Sequence, residues 1–193
     1  MAGRGYAGTS MSVIADETGI PKSAIYHHFG SKAGLLAAVM ERGAKGLFEA
    51  MTEAHSNPPS TGTARERLEW YFQRTGEVWV HRAEFLRLLI LLVMSDEAAE
   101  APEAMETVVT VRQEGRAYLE HMIRSSFIEM GDLVATQVAR ELAYVGMVGF
   151  DGIFISLQSR DSMPVGELID DLVVGIAAIG EARSQQLLAD SRT

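Results

Sequence analysis

One glycine, Gly19, constrains this chain more than any other residue. It stands four residues after the small Ala15 and directly before Ile20 and Pro21, and helical apolar spacing lies on both sides of it. A helix reaching Thr18 must stop there, and a glycine accepts the positive φ that such a stop needs. Pro21 presets φ for a second helix, in which Ile25 and Phe29 form the apolar stripe. Ile20 is expected in the core beyond the turn. Thr9 and Ser10 are N-cap types at the start of the first helix, and Ile14 and Ala15 share one of its faces. A small residue, a glycine four later, and apolar residues directly after and six after that glycine form the spacing of a helix-turn-helix.

The second helix of the pair presents Lys22, Ser23, Ala24, Tyr26, His27 and His28, a face of small and polar side chains suited to a DNA major groove. Lys22 and Ser23 sit at its N-terminal end, where base edges are usually met. Gly30-Ser31-Lys32 closes this helix and opens the next. There a hydroxyl, free helix N–H groups and a lysine make a phosphate site. His27 and His28 do not suggest a metal. Neighbours on a helix point about 100° apart, and ligand-type residues three or four positions away are missing.

The formal net charge is −9, which by itself argues against a nucleic-acid partner. The charge is uneven. Residues 1–48 hold five basic side chains (4, 22, 32, 42, 45) and three acids (16, 17, 41), so this part carries 5 − 3 = +2 and the rest −9 − 2 = −11. There is no cysteine, which rules out a disulfide framework and thiolate metal sites and fits a reducing compartment. No N-terminal run resembles a signal peptide. The longest apolar run, Phe85–Met94, is about half a membrane span and contains Arg87. A cytoplasmic protein without a membrane partner is expected.

Taken together, "GYAGTSMSVIADETGIPKSAIYHHFGSKAGLLAAV" resembles the DNA-binding head of the TetR/AcrR family of transcriptional regulators. It follows the family pattern GY–TS–IA–G–Y-x-HF–SK-x-x-L over about 40 residues. The resemblance implies double-stranded DNA as a partner. It places Thr9, Ser10, Tyr26, His28 and Lys32 at phosphates and Lys22, Ser23, Ala24 and His27 toward bases. Tyr6 is implied in packing the head together. Family members carry a whole helix ahead of the GY pair, and here only Met1–Gly5 precede Tyr6. That first helix is therefore expected to be missing, through truncation or a misplaced start, with Ile14, Ile25 and Leu36 left partly uncovered.

The rest of the chain reads as helical throughout, with no convincing alternating strand. Helices are expected over Met11–Thr18, Lys22–His28, Lys32 to about His55, and then roughly 64–80, 83–95, 102–129, 132–158 and 164–188. Thr63 is a plausible N-cap, Gly131-Asp132 pairs a terminating glycine with a capping acid, and Pro164 suits a first helical turn. The fold class is thus all-α. A helix-turn-helix head (residues 1–48) precedes a larger helical body (49–193), for which the family resemblance implies effector binding and dimerisation.

Two of the body helices have unusual content. Gly146, Gly149 and Gly152 recur at three-residue spacing, each at about 1 kcal/mol relative to alanine, so close helix approach is expected. Either an internal core or a four-helix bundle between two subunits would use such faces. The family resemblance favours a homodimer through Leu142, Val145, Gly149, Gly152, Ile153, Leu172, Ile176 and Ile179. A two-fold dimer would set its recognition helices about 34–36 Å apart on a palindromic operator.

An effector site for a small, largely apolar molecule is expected among Trp70, Trp79, Phe85, Leu89, Met94, Met105, Arg112, Tyr118, Met122 and Phe127. Plain core packing would use the same residue types. No cofactor is implied. The sequence has no phosphate loop, no G-x-S-x-G and no H-E-x-x-H, so an enzyme is not expected. The expected function is a ligand-responsive regulator, most often a repressor in this family. The alternative is a helical interaction protein of the same fold with weakened DNA binding.

Overall fold

The computed structural model describes residues 6, 8–94, 101–159 and 162–190. The expected missing helix ahead of Tyr6, residues 95–100 of the break at 95–102 and part of the break at 159–164 lie outside the described residues. Within them every regular element is helical. The order is α1 (Met11–Thr18), α2 (Lys22–Phe29), α3 (Lys32–Ala54), α4 (Ala64–His81), α5 (Ala83–Met94), α6 (Pro102–Ser126), a short 3-10 turn (Ile128–Met130), α7 (Asp132–Ser159) and α8 (Val165–Asp190).

Local chemistry sets the boundaries. Ser10 caps α1 by accepting the Val13 amide at 3.2 Å, and Gly19 ends it at φ 70° with its N–H on the Ala15 carbonyl. Gly30 ends α2 at φ 72°. Thr63 and Glu66 form a reciprocal capping box at α4: the Thr63 amide donates to the Glu66 carboxylate at 2.7 Å, and the Glu66 amide donates to the Thr63 hydroxyl at 3.2 Å. At α7 the structure shifts the expected cap by one residue. Gly131 accepts the Ala135 amide, so Asp132 is already helical and pairs instead with Arg124. Pro164 lies one residue ahead of α8. The sixth helix stops at Ser126, three residues before the expected end, and gives way to the 3-10 turn.

The chain forms two compact units, residues 1–50 with 79–112, and residues 51–78 with 113–193. A single cut between residues 48 and 49 therefore does not describe the first unit, because α5 and the first half of α6 belong to it. Its core gathers Tyr6, Leu36, Met40, Leu88, Leu89, Leu92, Ala104 and Val108, with Phe85 and Met105 packed against it. This corrects the expectation that Ile25 and Leu36 lie partly uncovered. Leu36 is fully buried against α5 and α6, and Ile25 is buried with Met11 and Leu35. Ile14 is half-buried beside them.

The second unit packs α4, the later part of α6, α7 and α8. The Phe72 and Phe150 rings meet at 5.0 Å, and Gly180 leaves room for the ring of Phe127. Among the described residues α7 alone is long and apolar enough to cross a membrane, and it also carries Asp132, Arg140, Glu141 and Asp151.

Candidate nucleic-acid interface

The helix-turn-helix is built from the inside outward. Met11 from α1, Ile25 from α2 and Leu35 from α3 are buried together, with Ile14, Ala15 and Phe29 around them. Burying Ile25 fixes the rotation of α2. Lys22, Ser23, Ala24, Tyr26, His27 and His28 then all fall on its exposed side. Ile20 corrects the sequence reading. It is 49 % exposed and lies outside the buried cluster of Met11, Ile25 and Leu35. Ile20 instead borders an open depression with Ser12, Ala15, Asp16, Gly19, Pro21 and Lys22.

No side chain caps the start of α2, and Pro21 offers only its carbonyl, to the Ala24 and Ile25 amides. The first turn thus combines helix N–H groups with Lys22 and Ser23, an arrangement suited to acceptors on bases or phosphates. The Lys22 ammonium donates to the Ser12 hydroxyl at 3.1 Å and lies 5.9 Å from the Tyr26 ring centroid. At the next corner Ser31 caps α3 by accepting the Gly34 amide at 2.9 Å. Its O–H remains a donor for an incoming oxygen. Gly34, which the sequence reading passed over, has to be small there: a Cβ would collide with the Phe29 carbonyl.

Two of the expected phosphate contacts look different in the structure. Thr9 is buried at 3 % exposure, whereas Ser10 is exposed at the start of α1. Lys32 is half-buried, with its ammonium 4.0 Å from the centroid of the buried Tyr6 ring.

The residues expected around an effector divide between the two units. In the first unit Leu89 is buried, Met105 and Phe85 pack on the core, Trp79 and Arg112 are half-buried, and Met94 is exposed. In the second, Met122 and Phe127 are buried while Trp70 and Tyr118 are half-buried. A residue that the sequence did not single out, His55, organises this second group. Its Nε2 donates to the Tyr71 carbonyl at 3.0 Å, which leaves Nδ1 to accept from the Tyr118 hydroxyl at 3.2 Å. Burial, as the largest cause, lowers the His55 pKa to about 4, with Arg74 and His121 adding positive charge nearby. Burial likewise raises the pKa of Tyr118. The Arg74 guanidinium stacks 4.1 Å from the Trp70 ring centroid.

The residues expected at a dimer face also separate. Leu142, Ile153 and Ile176 are buried inside the second unit, and a side chain at Gly149 would meet Leu172 of the same chain. Val145 and Ile179 are exposed, and Gly152 has open space around it. Val145 and Gly152 with Tyr144, Val148 and Ile155 make an outward apolar stripe on α7, and Val174, Gly175, Ala178 and Ile179 make one on α8.

Residues 1–39 match the family model of bacterial regulatory proteins of the tetR family. Solved structures share the fold. A Pseudomonas aeruginosa PAO1 protein, provisionally assigned as a transcriptional regulator, is 19 % identical over 96 % of this chain and 86 % of its own, with a TM-score of 0.75. The TetR family transcriptional regulator PfmR from Thermus thermophilus is 19 % identical over 91 % of both chains, with a TM-score of 0.62. A TetR-family member from Streptomyces coelicolor is 25 % identical over 92 % of this chain and 83 % of its own, with a TM-score of 0.52.

Proposed function

We propose that this chain, which belongs to the TetR family of helix-turn-helix transcriptional regulators, acts in the cytoplasm as a ligand-responsive repressor that binds a palindromic operator as a homodimer. The observation that carries the reading is the outward face of α2. Six positions on it, Lys22, Ser23, Ala24, Tyr26, His27 and His28, are exposed together while Ile25 anchors the helix from behind. In this reading Lys22, Ser23, Ala24 and His27 face bases, and Ser10, Tyr26, His28 and Lys32 grip phosphates. The acidic body does not oppose this, because the −11 charge lies outside residues 1–48.

The outward stripes on α7 and α8 support a homodimer. Each is apolar and small at helical spacing, and the buried faces of the same helices are already occupied by their own chain. The charged residues Asp132, Arg140, Glu141 and Asp151 along α7 favour a protein partner over lipid.

The effector reading rests on the second unit. Trp70, Tyr118 and Met122, with His55 and Arg74, offer apolar area and a few oriented polar groups. α3 runs unbroken from Lys32 to Ala54, and the next residue, His55, is tied to α4 and α6. An effector that binds better when those ties are rearranged would shift the population away from the DNA-bound state, by its differential affinity alone.

The test is a gel-shift of the full chain against DNA flanking its own gene. Specific binding that weakens steeply with salt is expected. Failure to bind any candidate palindrome would leave the helical interaction protein as the better reading.

A further inference from the structure

We propose that Tyr6 is a positioning residue for the DNA backbone, holding the Lys32 ammonium on its ring face so that the cation is aimed before a phosphate arrives. The proposal rests on the DNA-binding reading above. The contact itself is plain: the lysine nitrogen lies 4.0 Å from the ring centroid, inside the range of a cation–π interaction. Tyr6 is 5 % exposed and belongs to the core formed with Leu36, Met40 and Leu88, so the ring is a fixed platform. Its carbonyl also accepts the Thr9 amide at 3.2 Å, which ties the segment to the start of α1.

Lys32 needs such a partner. It is the first residue of α3, where the helix dipole disfavours a cation, and that first turn holds no acid. The negative face of an aromatic ring offsets the dipole without neutralising the charge. A carboxylate in its place would compete with phosphate, whereas the ring leaves ammonium protons free on the opposite side. A lysine that is already ordered also loses less side-chain freedom when it binds.

The test uses the full chain and a fluorescent mixed-sequence duplex of about two helical turns, because a phosphate contact acts on any sequence. Affinity is read by anisotropy between about 50 and 200 mM salt. Lys32→Ala should lower the slope of log K against log salt by about 0.9. Tyr6→Leu should lower it in the same way, and Tyr6→Phe, which keeps the ring, should retain the wild-type slope. The Tyr6→Leu/Lys32→Ala double variant should bind within about twofold of Lys32→Ala. A wild-type slope in Tyr6→Leu, or losses that multiply in the double variant, would overturn the proposal alone. A wild-type chain that binds no duplex would overturn the DNA-binding reading and this proposal with it. In case Tyr6→Leu does not fold, the wild type supplies an independent readout. The Lys32 ε-methylene protons should be ring-current shifted upfield in NMR spectra of wild type and Tyr6→Phe, and unshifted protons would overturn the contact.

Discussion

The ring of Phe85 on α5 occupies the space where a side chain at Gly43 on α3 would begin. This close crossing sets the distance between the two helices in the first unit. Gly43→Ala would gain about 1 kcal/mol of helix propensity but force the ring out of its place, at a cost of about 1–3 kcal/mol. A net destabilisation is therefore expected, seen as a lower urea midpoint with an unchanged m-value. A higher midpoint would mean that Phe85 swings aside freely.

Gly19 poses the opposite case. A Cβ there would meet nothing within 4 Å, but the backbone sits at φ 70°. The cost of substitution is then conformational and not steric. Gly19→Ala should destabilise by about 1–2 kcal/mol, and Gly19→Asn by less, because asparagine tolerates the left-handed region. Thermal unfolding of the two variants gives the order. Equal losses would point to an unrecognised contact.

The His55 network makes stability depend on acid. Unfolded, this histidine takes up a proton near 6.5; folded, only near about 4. Between those values the unfolded state binds more protons, so the stabilisation is complete above about 6.5 and is lost as the pH falls toward about 4. Glu66, held low by the Thr63 amide, and Glu141, held low by Arg183, add their own losses below the ordinary carboxylate value of 4.5. His55→Gln should flatten the dependence between pH about 6.5 and about 4, as read from urea midpoints, and leave only the loss from the carboxylates in place. An unchanged profile in that variant would assign the effect elsewhere.

What the sequence revealed and what it hid follow one division. Elements fixed by local chemistry were legible: Gly19 ends α1 by its backbone, and Ser10 caps it three residues from its partner Val13. Choices made by packing were not. Met11 and Ile20 are both apolar neighbours of the motif, yet one is 4 % and the other 49 % exposed, and Met11 packs with Ile25 of α2 and Leu35 of α3. His55 gave no local signal, because its partner Tyr118 lies 63 residues away. The cover over Leu36 came from α5 and α6, which the sequence assigned to a separate body. Even identical residues part company. Gly146 faces Leu119 and Ile176, Gly149 faces Leu172, and Gly152 faces open space.

That last contrast gives a test of the dimer. Gly149→Ala would place a methyl group against Leu172 of the same chain, so it should destabilise the protomer itself by about 1–3 kcal/mol. Gly152→Ala meets nothing in its own chain and should gain up to about 1 kcal/mol of helix propensity. If a second copy packs along Tyr144, Val148, Gly152 and Ile155, the same methyl enters the interface. A loss of about 1.4 kcal/mol there raises the dimer dissociation constant about tenfold. Gly152→Ala should therefore give a chain that is no less stable at low concentration yet dimerises more weakly by sedimentation equilibrium. Unaltered dimerisation would move the interface off Gly152, and a wild type that stays monomeric at every concentration would remove the homodimer from the proposed function.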